Sequence, residues 1–350
     1  MKPEKEKSLQ AVLDKAVDNK KVFGTSFAVK KCTSTWQGAS GNLTSDKPYF
    51  IASTTKLFTT AIILRLREEG KLSLDNKISK YLNPSIVSGL HVYKGKDYSD
   101  EITIRHLLSH TSGLPDYFQD KGAIGKSLED ELMEGNDQYW TFEQSIERTK
   151  IMSPLFAPGT KGKAKYSDAN FQILGKIIEI ITEKSYSENC QERIIQPLGL
   201  TKTYLYQDAN DETPMHLYYK SNELHIPKAM TSFGADGGIV SVSSDMLVFI
   251  EAFFTGKLFK ISYVDEIQEV WNKIFPPMRA GIGIHLFKLP WIFNPTGAIP
   301  YFIGHSGLSG ALAYYSPREK LYIVGTVNQT AHPDISFRVM ISLTQKLLKK

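Results

Sequence analysis

Ser53 and Lys56 stand three residues apart in the run Phe50-Ile51-Ala52-Ser53-Thr54-Thr55-Lys56-Leu57-Phe58. On a helix that spacing puts both side chains on one face, about one turn apart. A lysine at the head of an otherwise apolar helix must find partners or lose its proton, because burial disfavours the charged form. An amine held beside a hydroxyl activates a serine as a nucleophile. The positive end of the helix dipole also favours negative charge developing there. The chemistry expected of this pair is nucleophilic attack by the serine oxygen. Ser-x-x-Lys is short and recurs by chance, so other residues must carry part of the argument.

Two further stretches hold reactive groups. Lys165-Tyr166-Ser167-Asp168-Ala169-Asn170 is a polar loop ahead of an apolar helix. Tyr166 can pass a proton if nearby cations lower its phenol. The structural alternative is that Tyr166 packs at the helix start and Asp168 caps it, since Asp is a strong N-cap. Gly304-His305-Ser306-Gly307-Leu308-Ser309-Gly310 sets three glycines beside a strand, where a substrate's backbone can approach closely. His305 and Ser306 can bind a carboxylate or a polarised carbonyl. The plain alternative is a hairpin loop with a solvent-facing histidine.

Several elements must position these groups. Ser53 as cap and Gly70 as stop predict a helix over 53–69. Leu57, Phe58, Ala61, Ile62, Ile63, Leu64 and Leu66 cover most of its circumference, so it is expected in a core. A helix over 5–19 and strands over 25–30, 33–38 and 49–52 precede it. The middle reads as a short helix within 72–81, a helix over 102–108 opened by Thr103, helical spacing through 128–153, and a helix over 170–182. Strand character returns at 237–242, followed by a helix over 245–254. Strands at 281–287, 301–306, 311–316 and 321–327 follow, with a hairpin turn over Pro317-Arg318-Glu319-Lys320 and a last helix over 335–348. The pattern predicts an α+β fold. An antiparallel sheet built from both termini and flanked by helices takes residues 1–74 and 232–350, and an inserted, mostly helical domain takes 75–231. The cleft between them is the default site, shaped by 113–137 and 287–300.

Composition narrows the function classes. The 350 residues are 41% hydrophobic and 23% charged, an ordinary globular balance. With 42 basic and 37 acidic residues the net charge is +5, too mild and dispersed for a nucleic-acid partner. Lys2, Lys5, Lys7, Lys349 and Lys350 read as solvated ends. No apolar run reaches the ~18 residues a membrane span needs. The first residues hold no apolar leader, so the chain as it stands is expected to be cytoplasmic; a chain relieved of its signal would look the same and would be exported. Cys32 and Cys190 are too few for a disulfide framework or a zinc site, and are expected as buried thiols, one in a strand and one in a helix. His106 and His110 have metal-ligand spacing, but Leu107 stands where a metalloprotease helix needs Glu. No Gly-x-Ser-x-Gly elbow, P-loop or dinucleotide fingerprint occurs. Trp36, Trp140, Trp271 and Trp291 are expected in the core or a cleft wall. No cofactor and no metal are expected.

Taken together, Ser53-Thr54-Thr55-Lys56, Tyr166-Ser167-Asp168 and His305-Ser306-Gly307 resemble, in order and spacing, the three motifs of serine β-lactamases and penicillin-binding proteins. Stretches at 102–115, 197–203 and 237–241 are similar too, so the likeness runs over about residues 50–330. The branch it resembles holds class C β-lactamases, DD-carboxypeptidases, D-aminopeptidases and family VIII carboxylesterases. The resemblance implies that Ser53 is the acylated nucleophile. Lys56 would take its proton or stabilise the deprotonated base, and Tyr166 would shuttle a proton to the leaving group and from water. It implies an oxyanion hole of the backbone N–H groups of Ser53 and Leu308. Asp168, His305, Ser306 and Gly307 would meet the substrate.

Two positions depart from the family. His305 stands where many relatives have Lys, and imidazole holds a carboxylate weakly and with pH dependence. Asp168 stands where Asn is usual, and a carboxylate cannot donate to a substrate carbonyl. Asp168 is expected either to pair with Lys56, favouring Tyr166 as base, or to accept from a substrate amine or hydroxyl. The expected function is a serine hydrolase acting through a Ser53 acyl-enzyme on small amides or esters, of DD-peptidase, D-aminopeptidase or carboxylesterase type. The alternatives are a true β-lactamase and a non-turnover binder of β-lactams or peptidoglycan fragments. The expected partner is a small-molecule or short-peptide substrate.

Overall fold

The structure is a computed structural model and describes residues 1–122 and 125–349. Lys350, and Ala123 and Ile124 of the expected cleft loop, lie outside the described residues. Eight strands form one antiparallel sheet: β1 (Gly24–Lys31), β2 (Ser34–Gly41), β3 (Asn272–Phe275), β4 (Met278–Ala280), β5 (His285–Phe287), β6 (Phe302–Ser306), β7 (Ala311–Ser316) and β8 (Leu321–Thr326). Their order is β3-β4-β5-β6-β7-β8-β1-β2. The two ends of the chain meet where β1 pairs with β8, from Ser26↔Thr326 to Lys31↔Leu321. The sheet is therefore built from both termini, as the strand pattern implied.

Side-chain alternation divides the sheet into two buried faces. Phe27 and Val29 of β1, with Leu321 and Ile323 of β8, point into one core. Helices α1 (Pro3–Ala16) and α5 (Ile335–Leu348) close it with Leu9, Leu13, Val339, Met340 and Leu343. Ala28, Tyr322 and Val324 point the other way, toward α2 (Lys56–Glu68) and α4 (Ser243–Phe254). On that face the core is continuous from the sheet to Leu107, Ile146 and Ile173 of the middle segment. Among the latter, Ile173 belongs to α3 (Ala169–Thr182), which packs beside α2. Among the described residues no helix is long and apolar enough to cross a membrane.

Several expectations are corrected. Ser53 does not cap α2. Residues Ala52–Thr55 form a tight 3-10 turn that runs straight into the helix, with no side-chain cap, so the Ser53 hydroxyl is not spent on the helix's backbone N–H groups. The helical spacing through 128–153 is two helices, Leu128–Met133 and Phe142–Lys150. Gly135 takes φ 90° between them, and Thr141 opens the second with a capping box. The strand expected over 281–287 shrinks to β5, because Gly283 turns left-handed at φ 71° where a Cβ would lie 2.2 Å from Thr60 Oγ1. The β3–β4 hairpin is not among the expected strands, since Asn272-Lys273-Ile274-Phe275 shows no apolar–polar alternation in sequence. Cys32 is exposed in the β1–β2 turn at φ 53°; only Cys190 is buried. Trp291 is exposed rather than in a core or wall. Lys5 is not merely a solvated end: its ammonium donates to the carbonyls of Lys346 and Lys349 at the close of α5.

One glycine governs how closely the middle segment docks. Gly175 of α3 faces Ala235, and an added Cβ would stand 2.5 Å from the Ala235 Cβ. Gly175→Ala should lower stability by about 1–3 kcal/mol through overpacking, read as a reduced urea midpoint at unchanged slope.

Candidate active site

Lys56 sits at the first turn of α2 with no solvent exposure. An ammonium has three donors, and three acceptors surround this one. They are the Asp168 carboxylate at 2.5 Å, the Asp236 carbonyl at 2.6 Å and Ser53 Oγ at 3.0 Å. A buried charge is tolerable only when paired and fully hydrogen-bonded. Asp168 comes from the start of α3 and Asp236 from the turn Gly234–Asp236. Asp168 makes no helix cap; its carboxylate is turned to Lys56 instead. Of its two expected roles, the pairing with Lys56 is the one the structure holds.

Tyr166 OH lies 2.8 Å from Ser53 Oγ and 3.1 Å from Asp168 Oδ1, and can donate to either. Its phenol is held well above the ordinary tyrosine range by burial and by the Asp168 charge, against the lowering effect of the Ser53 bond. The expectation that cations lower it is therefore corrected: the nearest charge is a carboxylate, and the phenol keeps its proton.

Gly307 lies against the backbone before the serine. A Cβ there would stand 2.5 Å from Ile51 O and 3.1 Å from Ser53 N, so only glycine lets the 306–308 loop come this close. Ser53 and Leu308 both face the cavity, and among the described residues neither backbone N–H has a hydrogen-bond acceptor. Ala52 holds φ 45°, a strained value for a residue with a Cβ, directly before Ser53.

His305 is placed differently from expectation. Its ring is buried and stacks on His285 at 3.9 Å, with Nδ1 3.0 Å from its neighbour's backbone nitrogen, Ser306 N. It is not solvent-facing, and His285 rather than His305 lines the cavity, together with Ser306 and Gly307. His110 stacks on Tyr166 at 4.6 Å and takes N–H groups from Ser167 and Asn170 on Nδ1. Burial first, and neighbouring His285 and Lys56 next, push His110 and His305 well below the usual histidine range. Burial and then Lys56 push His285 down to about 3. All three imidazoles are neutral at pH 7.

The cavity in front of Ser53 has a volume of about 420 Å³. Phe118, Ile226, Met230, Phe233, Phe275 and Phe337 give it apolar walls. Asp168, Asp236 and Asp334 also reach it, and no Lys or Arg stands among its described lining residues. The Asp236 carboxyl accepts from Tyr117 OH at 2.8 Å; burial first, then the Asp168 charge, raise it well above the carboxylate range. Asp116 is raised for the same reasons. Sequence reasoning missed His285, His110, Asp116 and Asp236. His285 shows only as one residue of a strand run, and its pairing with Gly304 across β5 and β6 is a matter of register.

The depressed His285 has a consequence for stability. The unfolded chain takes up this proton first, near pH 6.5, so the group costs stability as pH falls from 6.5 toward 3. Raised Asp116 and Asp236 act with the opposite sign, so the comparison must be made between variants. At pH 5 the cost from His285 is on the order of 2 kcal/mol. His285→Gln should lose less stability than wild type between pH 7 and pH 5, measured by urea unfolding at both values. Equal losses in the two proteins would refute this.

Known proteins resemble this chain in sequence and fold. The chain is 26% identical over 260 residues to a protein of Bacillus subtilis (strain 168) named "Putative penicillin-binding protein PbpX". That match spans 73% of this chain and 57% of the relative, so the chain covers little more than half of that protein's length. The D-stereospecific amidohydrolase from Streptomyces sp. superposes with a TM-score of 0.77 at 26% identity, over 95% of this chain and 97% of that one. EstCE1, a hydrolase with promiscuous acyltransferase activity, superposes at 0.80 with 21% identity over 99% and 98%, a likeness of fold. The Beta-lactamase family matches residues 9–338. A sheet closed from both termini, a serine-headed buried helix and family agreement over nearly the whole length converge, and the chain belongs to the Beta-lactamase family.

Proposed function

We propose that this protein is a serine hydrolase that forms an acyl-enzyme on Ser53 and acts on neutral or amine-bearing esters and amides with an apolar acyl group. The observation that carries the reading is the position of Ser53 Oγ. It lies 3.0 Å from Lys56 Nζ and 2.8 Å from Tyr166 OH, facing a cavity lined by carboxylates and no Lys or Arg among the described residues.

At rest Lys56 and Tyr166 both donate to Ser53 Oγ; for the attack the Tyr166 hydroxyl turns to Asp168 Oδ1, 3.1 Å away, and its oxygen is then open to the serine's proton. As Ser53 attacks the acyl carbon, that proton passes to the Tyr166 oxygen while the phenolic proton passes to Asp168. The raised phenol fits a relay rather than a standing phenolate. The oxyanion takes the free N–H groups of Ser53 and Leu308. Collapse expels the alcohol or amine, which recovers the proton through Tyr166. Water then repeats the sequence and frees Ser53.

β-Lactams and peptides ending in D-alanine carry a carboxylate that such sites normally meet with a cation. Here the imidazoles are neutral and the other ionisable groups at the cavity are acids. This disfavours the β-lactamase and DD-carboxypeptidase readings. Between ester and amide, the related D-stereospecific amidohydrolase favours the amide.

p-Nitrophenyl butyrate should give an acylation burst followed by steady turnover, with D-phenylalanine amide assayed in parallel. Ser53→Ala should lower turnover by about 10³-fold or more. A burst with no turnover would instead establish a binder, and faster hydrolysis of nitrocefin a β-lactamase. Asp168→Asn should lower kcat at pH 7 by about 10²–10⁴-fold and move the optimum to higher pH, as Lys56 must then act as base. An unchanged pH–rate profile would remove Asp168 from the relay.

A further inference from the structure

His216 and His225 flank a small hairpin on the far side of the cavity wall. Leu217–Tyr219 pairs with Asn222–Leu224, with Leu217 opposite Leu224. One step further along, His216 stands across from His225, and their ring centroids are 5.0 Å apart. Residues directly opposite on a two-stranded ladder share a face. Glu223 lies on the same face by alternation, and its carboxylate is 2.8 Å from His216 Nδ1. From the preceding loop Glu212 reaches His216 Nε2 at 2.8 Å. Glu212, His216 and His225 each place one donor atom within 4.8 Å of the other two. The hairpin's other face carries Leu217 and Ile226, which are buried and line the cavity.

We propose that Glu212, His216 Nε2 and a ring nitrogen of His225 bind a divalent transition ion of the zinc class, with water in the fourth position. Two imidazoles and one carboxylate suit zinc, whereas calcium and magnesium require oxygen ligands. The outer shell is also in place. A metal-bound histidine gives its other N–H to a carboxylate that fixes tautomer and ring orientation, and Glu223 stands at that position on His216. A neutral imidazole has one N–H and can serve only one of its two carboxylates; an ion on Nε2 serves Glu212 while Nδ1–H serves Glu223. Ligand atoms about 2.0–2.1 Å from a tetrahedral zinc stand about 3.4 Å apart, so the Glu212–His216 contact opens by about 0.6 Å on binding. Glu212 is 63% exposed and on a loop, and is free to make that adjustment. The ion ties this loop to the hairpin that backs the cavity. The site is separate from Ser53 and does not depend on the hydrolase reading.

The test is calorimetric titration of Zn²⁺ into the full chain, free of any histidine tag and stripped with EDTA. One ion per chain is expected, and Co²⁺ should give the visible bands of a tetrahedral site. His225→Ala and Glu212→Gln should abolish binding, and Glu223→Gln should weaken it by about 10–100-fold. These side chains are exposed or partly so, and the metal-free melting temperatures should match wild type, with Zn²⁺ raising only that of wild type. Absence of binding, or binding unaltered by His225→Ala, would overturn the proposal.

Discussion

A single buried ammonium sets the terms for the rest of the molecule. Lys56 has no contact with solvent and three N–H groups, and its three acceptors belong to three separate pieces of chain. Ser53 precedes it by one turn, Asp168 opens α3, and the Asp236 carbonyl closes the turn Gly234–Asp236. Loss of one partner from such a group leaves an uncompensated charge in the interior, a cost of about 3–5 kcal/mol. The docking of α3 on α2, with Gly175 pressed to Ala235, therefore belongs to the same device as the chemistry. Phe58 stacked on Phe249 at 3.8 Å holds α2 to α4 and so to the sheet.

The polar character of the site follows from burial more than from net charge. The chain is mildly basic, yet the cavity presents carboxylates and neutral imidazoles. Histidines enclosed by His285, His305, His110 and Tyr166 packing against one another lose their charged form, and acids enclosed beside Asp168 hold their protons. Proton movement in such a place runs along short contacts between groups that are already hydrogen-bonded. The contacts at 2.8 and 3.1 Å around Tyr166 are of that kind. On the proposed reading, the same enclosure leaves an incoming carboxylate without a counter-charge, and substrate preference follows from packing.

Local backbone geometry completes the site. The 3-10 turn at Ala52–Thr55 and the positive φ of Ala52 free both the hydroxyl and the N–H of Ser53. Gly307 lets Leu308 approach from β6 and β7. Strain at Ala52 is held by the surrounding sheet and helix, which is where such strain persists in proteins.

By itself the sequence determined what depends on spacing along the chain. The apolar circumference of α2, the strand runs within 25–38 and 301–327, the motifs at Ser53, Tyr166 and His305, and the choice of Asp at 168 were all legible, because helix and strand periods are local. The pairing of Asp168 with Lys56 followed from charge alone, as one of two options. Tertiary structure decided the rest. His285 and Asp236 meet Lys56 and Tyr166 only through contacts that span more than a hundred residues. The burial that neutralises His305, and the raised rather than lowered Tyr166 phenol, depend on what encloses each group in three dimensions. Strand register places His285 beside the site and His216 across from His225, and register is fixed by side-chain packing over a whole sheet face.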